Sequence, residues 1–371
     1  MKTPNSHNPA SNTPQIGILG AGAIGQLLCW QLTQAKLAVT LIGKSEPLHR
    51  QQVGSGQSLL GQSEPAPPFA ALTFSPFIDD ADSGSDSHYQ VPLVCIPTPH
   101  SADLPAATGN QSSSSTATQT RLSSLKLIIV CVKAYQVVEA LTPLLPLLSN
   151  DCHILLLHNG MGPHLEVAAL LGLNADEQSG REPHCQRGLS LGTTSQGALK
   201  LSRWHVRQTG RGLSQFGDYL GKPLDSAVKS QLLSAIPNSQ WCDDIVTSLW
   251  QKLAVNAVIN PLTAIHRCQN GALAQPVYAA TIEAILDELH TIAALDGIKL
   301  EKSVLHTRVE QVIELTSSNF SSMYQDVAHK RLTEIAYING YLLARAQAHG
   351  LSLDINASLV EKIKNLESHK P

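Results

Sequence analysis

The sequence predicts an α/β chain: a Rossmann-type, doubly wound amino-terminal domain followed by an all-α carboxyl-terminal domain. Three observations predict it. A glycine-rich turn, Gly20-Ala21-Gly22-Ala23-Ile24-Gly25, follows a short apolar strand and opens a helical run. Short apolar segments then recur between helical patterns, the texture of a parallel sheet with crossover helices. From about residue 242 the glycines thin out and helical periodicity continues to 368.

Taken in order, residues 1–14 are polar and rich in Pro and Asn, lack the apolar core of a signal peptide, and read as a disordered tail. IGIL (16–19) is a strand, QLLCWQLTQAK a helix, and LAVTLI (37–42) a second strand. Residues 45–124 yield no regular pattern. They include EPAPP, a Ser/Asp-rich patch and ATGNQSSSSTATQT (107–120), which is too polar to order itself and is expected to be a flexible surface insertion. Strand character resumes at LKLIIVCV (125–132), followed by a helix over AYQVVEALTPLL and a strand at HILLLH (153–158). Residues 188–218 have strand spacing with Gly-rich turns, an expected antiparallel extension of the sheet. The domain boundary falls near 240, giving a dinucleotide-binding domain at 15–240 and a helical substrate and catalytic domain at 241–371.

Composition excludes several classes. With 371 residues, 43% hydrophobic and 15% charged, the chain has the makings of about two globular domains. A net charge of −3 without any Lys/Arg stripe argues against nucleic acid as a partner. The seven cysteines (29, 95, 131, 152, 185, 242, 268) form no C-x-x-C pair, so they read as free thiols of a reducing compartment and not as a disulfide framework or a metal site. Apolar runs are too short to span a bilayer. A soluble, cytoplasmic protein with no membrane partner is the expectation.

The glycines of the turn permit a tight bend and close backbone approach, so that a pyrophosphate can rest on the helix amino terminus; Gly20, Gly22 and Gly25 are the candidate ligands. An NAD site would carry an acidic residue about 20 positions on. Here the second strand ends Leu41-Ile42-Gly43-Lys44-Ser45, with no carboxylate between Gly25 and Glu46. A cation suits a 2′-phosphate, so NADP (NADPH) is expected over NAD; the plainer reading is that Lys44 is a solvated surface lysine. Lys133, with Gln136 one turn on, and Asn159-Gly160-Met161-Gly162 follow two further strands at the carboxyl ends, where open parallel sheets bind ligands. Either could equally be an ordinary strand–helix junction.

LWQKLAVNAVINPLTAI (249–265) poses the catalytic question. Steps of four place Lys252, Asn256 and Asn260 on one ridge roughly 12 Å long, on a helix otherwise apolar nearly all round. A buried lysine is costly without partners, so the ridge either joins a structural network or lines a polar cavity. SSNFSSMYQDV (317–327) adds Asn319, Ser321 and Ser322, small donors suited to a carboxylate, although a serine pair is as readily a cap or turn. RLTEIAYINGYLLARAQAHG (331–350) opens with Arg331 and Glu334, read as lying on a helix, with Glu334 able to pair with Lys252. Standing alone, it is as well an exposed helix residue.

GAGAIG, VCVKAYQV, HNGMG, LWQKLAVNAVINPLTAI, NFSSMYQDV and TEIAYINGYLLARAQAHG together closely resemble the ketopantoate reductases (2-dehydropantoate 2-reductases), over about 15–43 and 125–365. The resemblance implies NADPH-dependent reduction of 2-dehydropantoate to pantoate, within pantothenate and coenzyme A biosynthesis. It makes Lys252 the general acid and Glu334 the acidic residue beside it, near the cofactor. Asn256 and Asn260 become substrate-binding amides, and Ser322 the carboxylate ligand with Asn319 close by. Lys133 and Asn159 match cofactor and active-site positions, Asn159 also facing substrate. Lys44 stands where some members carry an arginine, and a lysine there lacks the bidentate fork. Residues 45–124 are longer than the family pattern. The alternatives are reduction of another 2-keto acid, or a non-catalytic NADP-binding sensor. A small-molecule 2-keto acid is the partner this implies; a homodimer is left open. Two domains of this kind also suggest hinge closure over bound ligands.

Overall fold

The computed structural model describes residues 15–44, 69–77, 85–96, 112–173 and 187–368. The tail expected at 1–14, the first part of the 107–120 insertion and Cys185 lie outside the described residues.

β1 (Gln15–Leu19), α1 (Ala23–Gln34) and β2 (Ala38–Lys44) form the first β–α–β unit, with β1 and β2 parallel. Ile16, Ile18 and Leu19 are all buried, as both faces of a central parallel strand must be. The stretch without a sequence pattern contributes β3 (Phe69–Ser75) and β4 (Ser87–Ile96), an antiparallel pair, and β4 joins the sheet parallel to β2. The chain then crosses back to β5 (Leu125–Val130), parallel to β1 on its other side.

From Ser112 on, that crossover corrects the flexible insertion expected at 107–120. From Ser112 to Ser123 the chain is a helix, α2. Returning between parallel strands requires a climb across the sheet, and a helix satisfies its own backbone groups on the way. Leu122, only 1% exposed, anchors its end in the core. The helix expected over AYQVVEALTPLL is also shorter: a 3-10 turn at Ala134–Gln136 leads into α3 (Val137–Leu141). Pro143 explains the stop: it has no N–H for the Glu139 carbonyl, so the helical ladder ends with the bond that Thr142 donates to Val138.

β6 (His153–Leu156), α4 (Pro163–Leu170) and β7 (Gly188–Thr194) continue the parallel sheet. β8 (Gly197–Ser202), β9 (His205–Gly210) and β10 (Ser214–Gly221) follow, then α5 (Ser226–Ala235) and β11 (Ser239–Trp241). The strand order is β11-β10-β7-β6-β5-β1-β2-β4-β3-β9-β8. The antiparallel extension expected at 188–218 is thus one long hairpin bent in its middle. Its near half, β7 and β10, stays beside β6, and its far half, β8 and β9, joins the opposite edge through β3. At the bend Ser195 N–H donates to the Leu213 carbonyl at 2.9 Å. Gly212 passes so close that a Cβ would lie 2.1 Å from the Ser195 carbonyl carbon.

The far half closes over α1. The Gln26 side chain donates to the Arg203 carbonyl (2.9 Å), Gln31 to the Gln196 side chain (2.7 Å), and Trp30 stacks on Phe74 with ring centroids 3.7 Å apart. The helix that carries the glycine turn is therefore clamped on both sides.

The carboxyl-terminal part is helical: α6 (Ile245–His266), α7 (Pro276–Leu295), α8 (Lys302–Leu315), α9 (Ser322–Ala328), α10 (Asn339–Ala348) and α11 (Asp354–Ser368). Asp244 caps α6, its Oδ1 accepting the Thr247 N–H at 3.0 Å. Leu253, Ala254, Ala257, Val258 and Leu262 bury α6 in the helical core. Pro261 sits inside α6 and has no N–H for the Ala257 carbonyl. The Asn339 amide supplies that donor at 3.0 Å and also reaches Asn356 Oδ1 at 2.8 Å. Among the described residues no helix is long and apolar enough to cross a membrane.

Candidate active site

The candidate residues gather at the carboxyl ends of β1, β5 and β6, the last two of which face α6 and the segment before α10. At the first, the three loop glycines do different work. Gly20 has φ +113°, and a Cβ there would lie 2.8 Å from Val132. A Cβ on Gly25 would lie 2.0 Å from the Gly20 carbonyl oxygen, so this glycine lets α1 start against the turn. Gly22, by contrast, is exposed, with only the Cys131 carbonyl near its Cβ position, at 3.8 Å. It occupies the N-cap of α1 without a side-chain cap, leaving backbone N–H groups at the helix start. A pyrophosphate fits there, meeting main chain and helix dipole.

Lys44 ends β2. Its ammonium is 3.0 Å from Glu139 Oε1, with the two side chains 43% and 49% exposed. At the end of β5, Lys133 Nζ lies 2.7 Å from Asp326 Oδ2 and 3.3 Å from Glu334 Oε2. Glu334, 3% exposed, also accepts from the Ala134 N–H (3.0 Å) and from Asn159 Nδ2 (3.4 Å). Asp326 accepts a second cation, Arg331 Nε, at 2.9 Å. Burial pulls the Lys133 pKa down, but the facing Glu334 and Asp326 carboxylates more than offset it and leave it raised.

Close approach of the β6 loop makes this network possible. Gly160 has φ +75°, and a Cβ there would lie 2.4 Å from the Tyr337 carbonyl oxygen. The same carbonyl accepts the Met161 N–H at 2.7 Å. The HNGMG segment is thus laced to the 3-10 turn Ile335–Tyr337, bringing Asn159 beside Glu334.

On α6, Lys252, Asn256 and Asn260 form the ridge that their spacing predicts. Lys252 and Asn256 share a small cavity with His158, Asn159 and Thr193. Lys252 Nζ donates to the Thr194 carbonyl. Burial draws its pKa from the ordinary lysine value down to about 8; the Glu334 charge opposes that shift and Arg308 adds to it. Burial also lowers His158, whose Nδ1 lies 3.0 Å from the Asn159 carbonyl oxygen. As that oxygen can only accept, the ring proton sits on Nδ1. Asn260 is buried one turn beyond Asn256.

Three sequence expectations change here. Glu334 does not stand on a helix: it precedes the 3-10 turn, and α10 begins only at Asn339. Nor does it pair with Lys252, which has no carboxylate within salt-bridge distance among the described residues. Glu334 turns instead to Lys133 and the free Ala134 N–H, a charged and a neutral donor at one strand end. Of the two serines, Ser321 is spent structurally. It caps α9 through the Tyr324 N–H (3.0 Å) and accepts the Thr263 hydroxyl (2.7 Å), which docks α9 on α6 just past Asn260. Ser322 and Asn319 are exposed beside that contact. Sequence reasoning passed over Asp326, although it lies in the same SSMYQDV run and five residues before Arg331, its partner. A wide cleft of about 1050 Å³ opens elsewhere, at the amino ends of β1 and β2 beside Gln15 and Ala38. Parallel sheets bind ligands at the opposite ends of their strands, and none of the candidate residues lines it.

A family model described as ketopantoate reductase PanE/ApbA matches residues 16–221, and its C-terminal counterpart matches residues 244–367. The 2-dehydropantoate 2-reductase of Vibrio cholerae is 41% identical over 243 residues, covering 65% of this chain and 77% of that protein. Among solved structures, a PanE/ApbA family ketopantoate reductase from Ralstonia eutropha superposes with a TM-score of 0.71 at 20% identity, covering 95% of this chain and 98% of that one. A D-mandelate dehydrogenase solved with NADH and anilino(oxo)acetate gives the same TM-score at 23% identity, over 95% and 98% of the two chains. At these identities the two structures speak for the fold alone.

Proposed function

The chain belongs to the ketopantoate reductase family, and from that premise we propose that it reduces the C2 carbonyl of 2-dehydropantoate to give pantoate, with NADPH as the nucleotide and Lys252 as the acid. The family's reaction is a step of pantothenate biosynthesis, and the chain is an oxidoreductase of that type. One observation carries the site assignment: a partly buried ammonium with a pKa of about 8 shares a cavity with two amides at the carboxyl edge of a parallel sheet.

The dinucleotide, when bound, supplies the hydride. The rest falls to the protein. Gly20, Gly22 and Gly25 offer main-chain donors to the pyrophosphate, and Lys44 a cation to the 2′-phosphate. Lys252 holds one hydrogen toward the Thr194 carbonyl, which orients the ammonium and leaves two N–H groups for the substrate oxygen. As C2 becomes tetrahedral its oxygen gains negative charge. Lys252 stabilises that charge and then gives it a proton, a transfer made easier by a pKa near the working pH. Asn256, one turn on, donates to the same oxygen, with Asn260 behind it. Asn319 and Ser322 would hold the carboxylate and so fix which face of the carbonyl is presented. Glu334 keeps Lys133 and Asn159 in place and favours the charged form of Lys252.

Purified protein is assayed for NADPH oxidation with 2-dehydropantoate, with pyruvate and NADH run in parallel. Turnover confined to NADPH and 2-dehydropantoate, and reduced about 10²–10⁴-fold in Lys252→Ala, supports the proposal. Equal turnover of pyruvate, or an undiminished Lys252→Ala, overturns the substrate or the acid respectively.

A further inference from the structure

Lys44 is the last residue of β2, and Glu139 stands in α3, the first helix after β5. In the order β5-β1-β2 these two strands flank β1, roughly 10 Å apart. The ion pair Lys44–Glu139, at 3.0 Å, therefore reaches across the end of β1, which leads into the glycine turn. Nearly half of each side chain is open to solvent, so a charged ligand can reach the pair and exchange partners with it. Among the described residues Lys44 has no other ion-pair partner, and neither has Glu139.

In an NAD site the acidic residue at the end of the second strand accepts from the ribose hydroxyls. Here the strand end carries the cation, and a carboxylate arrives at the same spot from the neighbouring element. We propose that Glu139 is a specificity-determining residue: its carboxylate competes with the 2′-phosphate for Lys44 and offers an acceptor to an unphosphorylated ribose. The inference rests on the reading of Lys44 as the 2′-phosphate ligand. Lys44 draws the site toward the phosphorylated nucleotide and Glu139 draws it back, so nucleotide preference is a difference between the two. A phosphate dianion about 6 Å from a carboxylate in a solvent-like dielectric is disfavoured roughly tenfold, and less at physiological salt.

The test is equilibrium binding of 2′,5′-ADP, ADP, NADPH and NADH to the full chain and its Glu139→Gln and Lys44→Gln variants, without turnover. Glu139→Gln should tighten 2′,5′-ADP and NADPH about 3–10-fold, leave ADP and NADH unchanged or weaker, and lose most of its effect in high salt. Lys44→Gln should weaken 2′,5′-ADP by tenfold or more. If Lys44→Gln weakens the phosphorylated nucleotides while Glu139→Gln leaves them unchanged or weaker, Glu139 merely orients Lys44 and the inference falls while the NADPH reading stands. If Lys44→Gln leaves the discrimination intact, the NADPH reading falls and takes the inference with it.

Discussion

Replacing Lys252 by Met should reduce turnover about 10²–10⁴-fold and stabilise the protein, a combination that separates a functional, partly buried charge from a structural one. Burial holds the Lys252 pKa near 8 in the folded chain, against the ordinary lysine value of 10.5. Below pH 8 the ammonium is charged in both states and is disfavoured in the folded one. Each unit of difference is worth about 1.4 kcal/mol, so the penalty approaches about 3 kcal/mol. Methionine has nearly the shape of the lysine stem and carries no charge, but it leaves the Thr194 carbonyl without its donor, a loss of about 1 kcal/mol. The net gain at pH 7 is then about 1–3 kcal/mol. The sign with pH follows from proton counting: between the folded and unfolded pKa values the unfolded chain binds more protons, so the wild type gains stability as pH rises from 8 to 10.5. The advantage of Lys252→Met should therefore fade over that window. Denaturant unfolding of both proteins at pH 7 and pH 10 measures it. A variant less stable than wild type at pH 7, or a difference that does not change with pH, would refute the picture of an ammonium held against its solvation.

Three further outcomes follow from named contacts. The rate of reduction should fall about tenfold per pH unit above a midpoint near 8, and Glu334→Gln should move that midpoint down, because the carboxylate favours the charged lysine; a pH–rate profile that stays flat to pH 10 would remove Lys252 as the acid. Asn339→Ala should cost about 2–4 kcal/mol by stranding the Ala257 carbonyl and Asn356, and Pro261→Ala in the same chain should recover part of it by restoring the missing N–H; thermal unfolding of the two single variants and the double one reads the coupling, and simple additivity would count against it. Gly160→Ala should lower kcat/KM about 10²-fold, because its Cβ would force the β6 loop away from the Tyr337 carbonyl and carry Asn159 from Glu334; steady-state kinetics beside a melting curve distinguishes this from global unfolding.

Which of these features the sequence displays depends on how local their causes are. The glycine turn, the polar ends of β5 and β6 and the ridge on α6 are legible because each is set by spacing within one element: a period of two or 3.6, or a backbone that only glycine permits. Pro143 is equally local and shows where α3 must stop, once its missing N–H is considered. Choice of partner is not local. The strands of 188–218 are evident from their pattern, yet nothing in that pattern tells that β8 and β9 leave β7 and β10, with β9 pairing to β3, over a hundred residues earlier in the chain. The crossover helix at Ser112–Ser123 is dictated by where β4 and β5 lie and not by its own serines and threonines, whose composition argues the other way.

The same distinction governs the site. Glu334 and Lys252 both look like members of one pair because both are charges in apolar surroundings, and a buried charge needs a partner. Their partners were decided by which backbone donors and acceptors the fold leaves free nearby. The end of β5 leaves the Ala134 N–H, which takes Glu334, and the end of β7 leaves the Thr194 carbonyl, which takes Lys252. This separation has a chemical consequence. Contact with a carboxylate would push the Lys252 pKa up toward that of Lys133, which has two such contacts and is raised; held by a neutral carbonyl, with Glu334 acting only at a distance, it rests near 8. The two lysines differ in sequence by little more than their neighbours, and the fold makes one a fixed counter-ion and leaves the other with the pKa near 8 that the proposed acid requires.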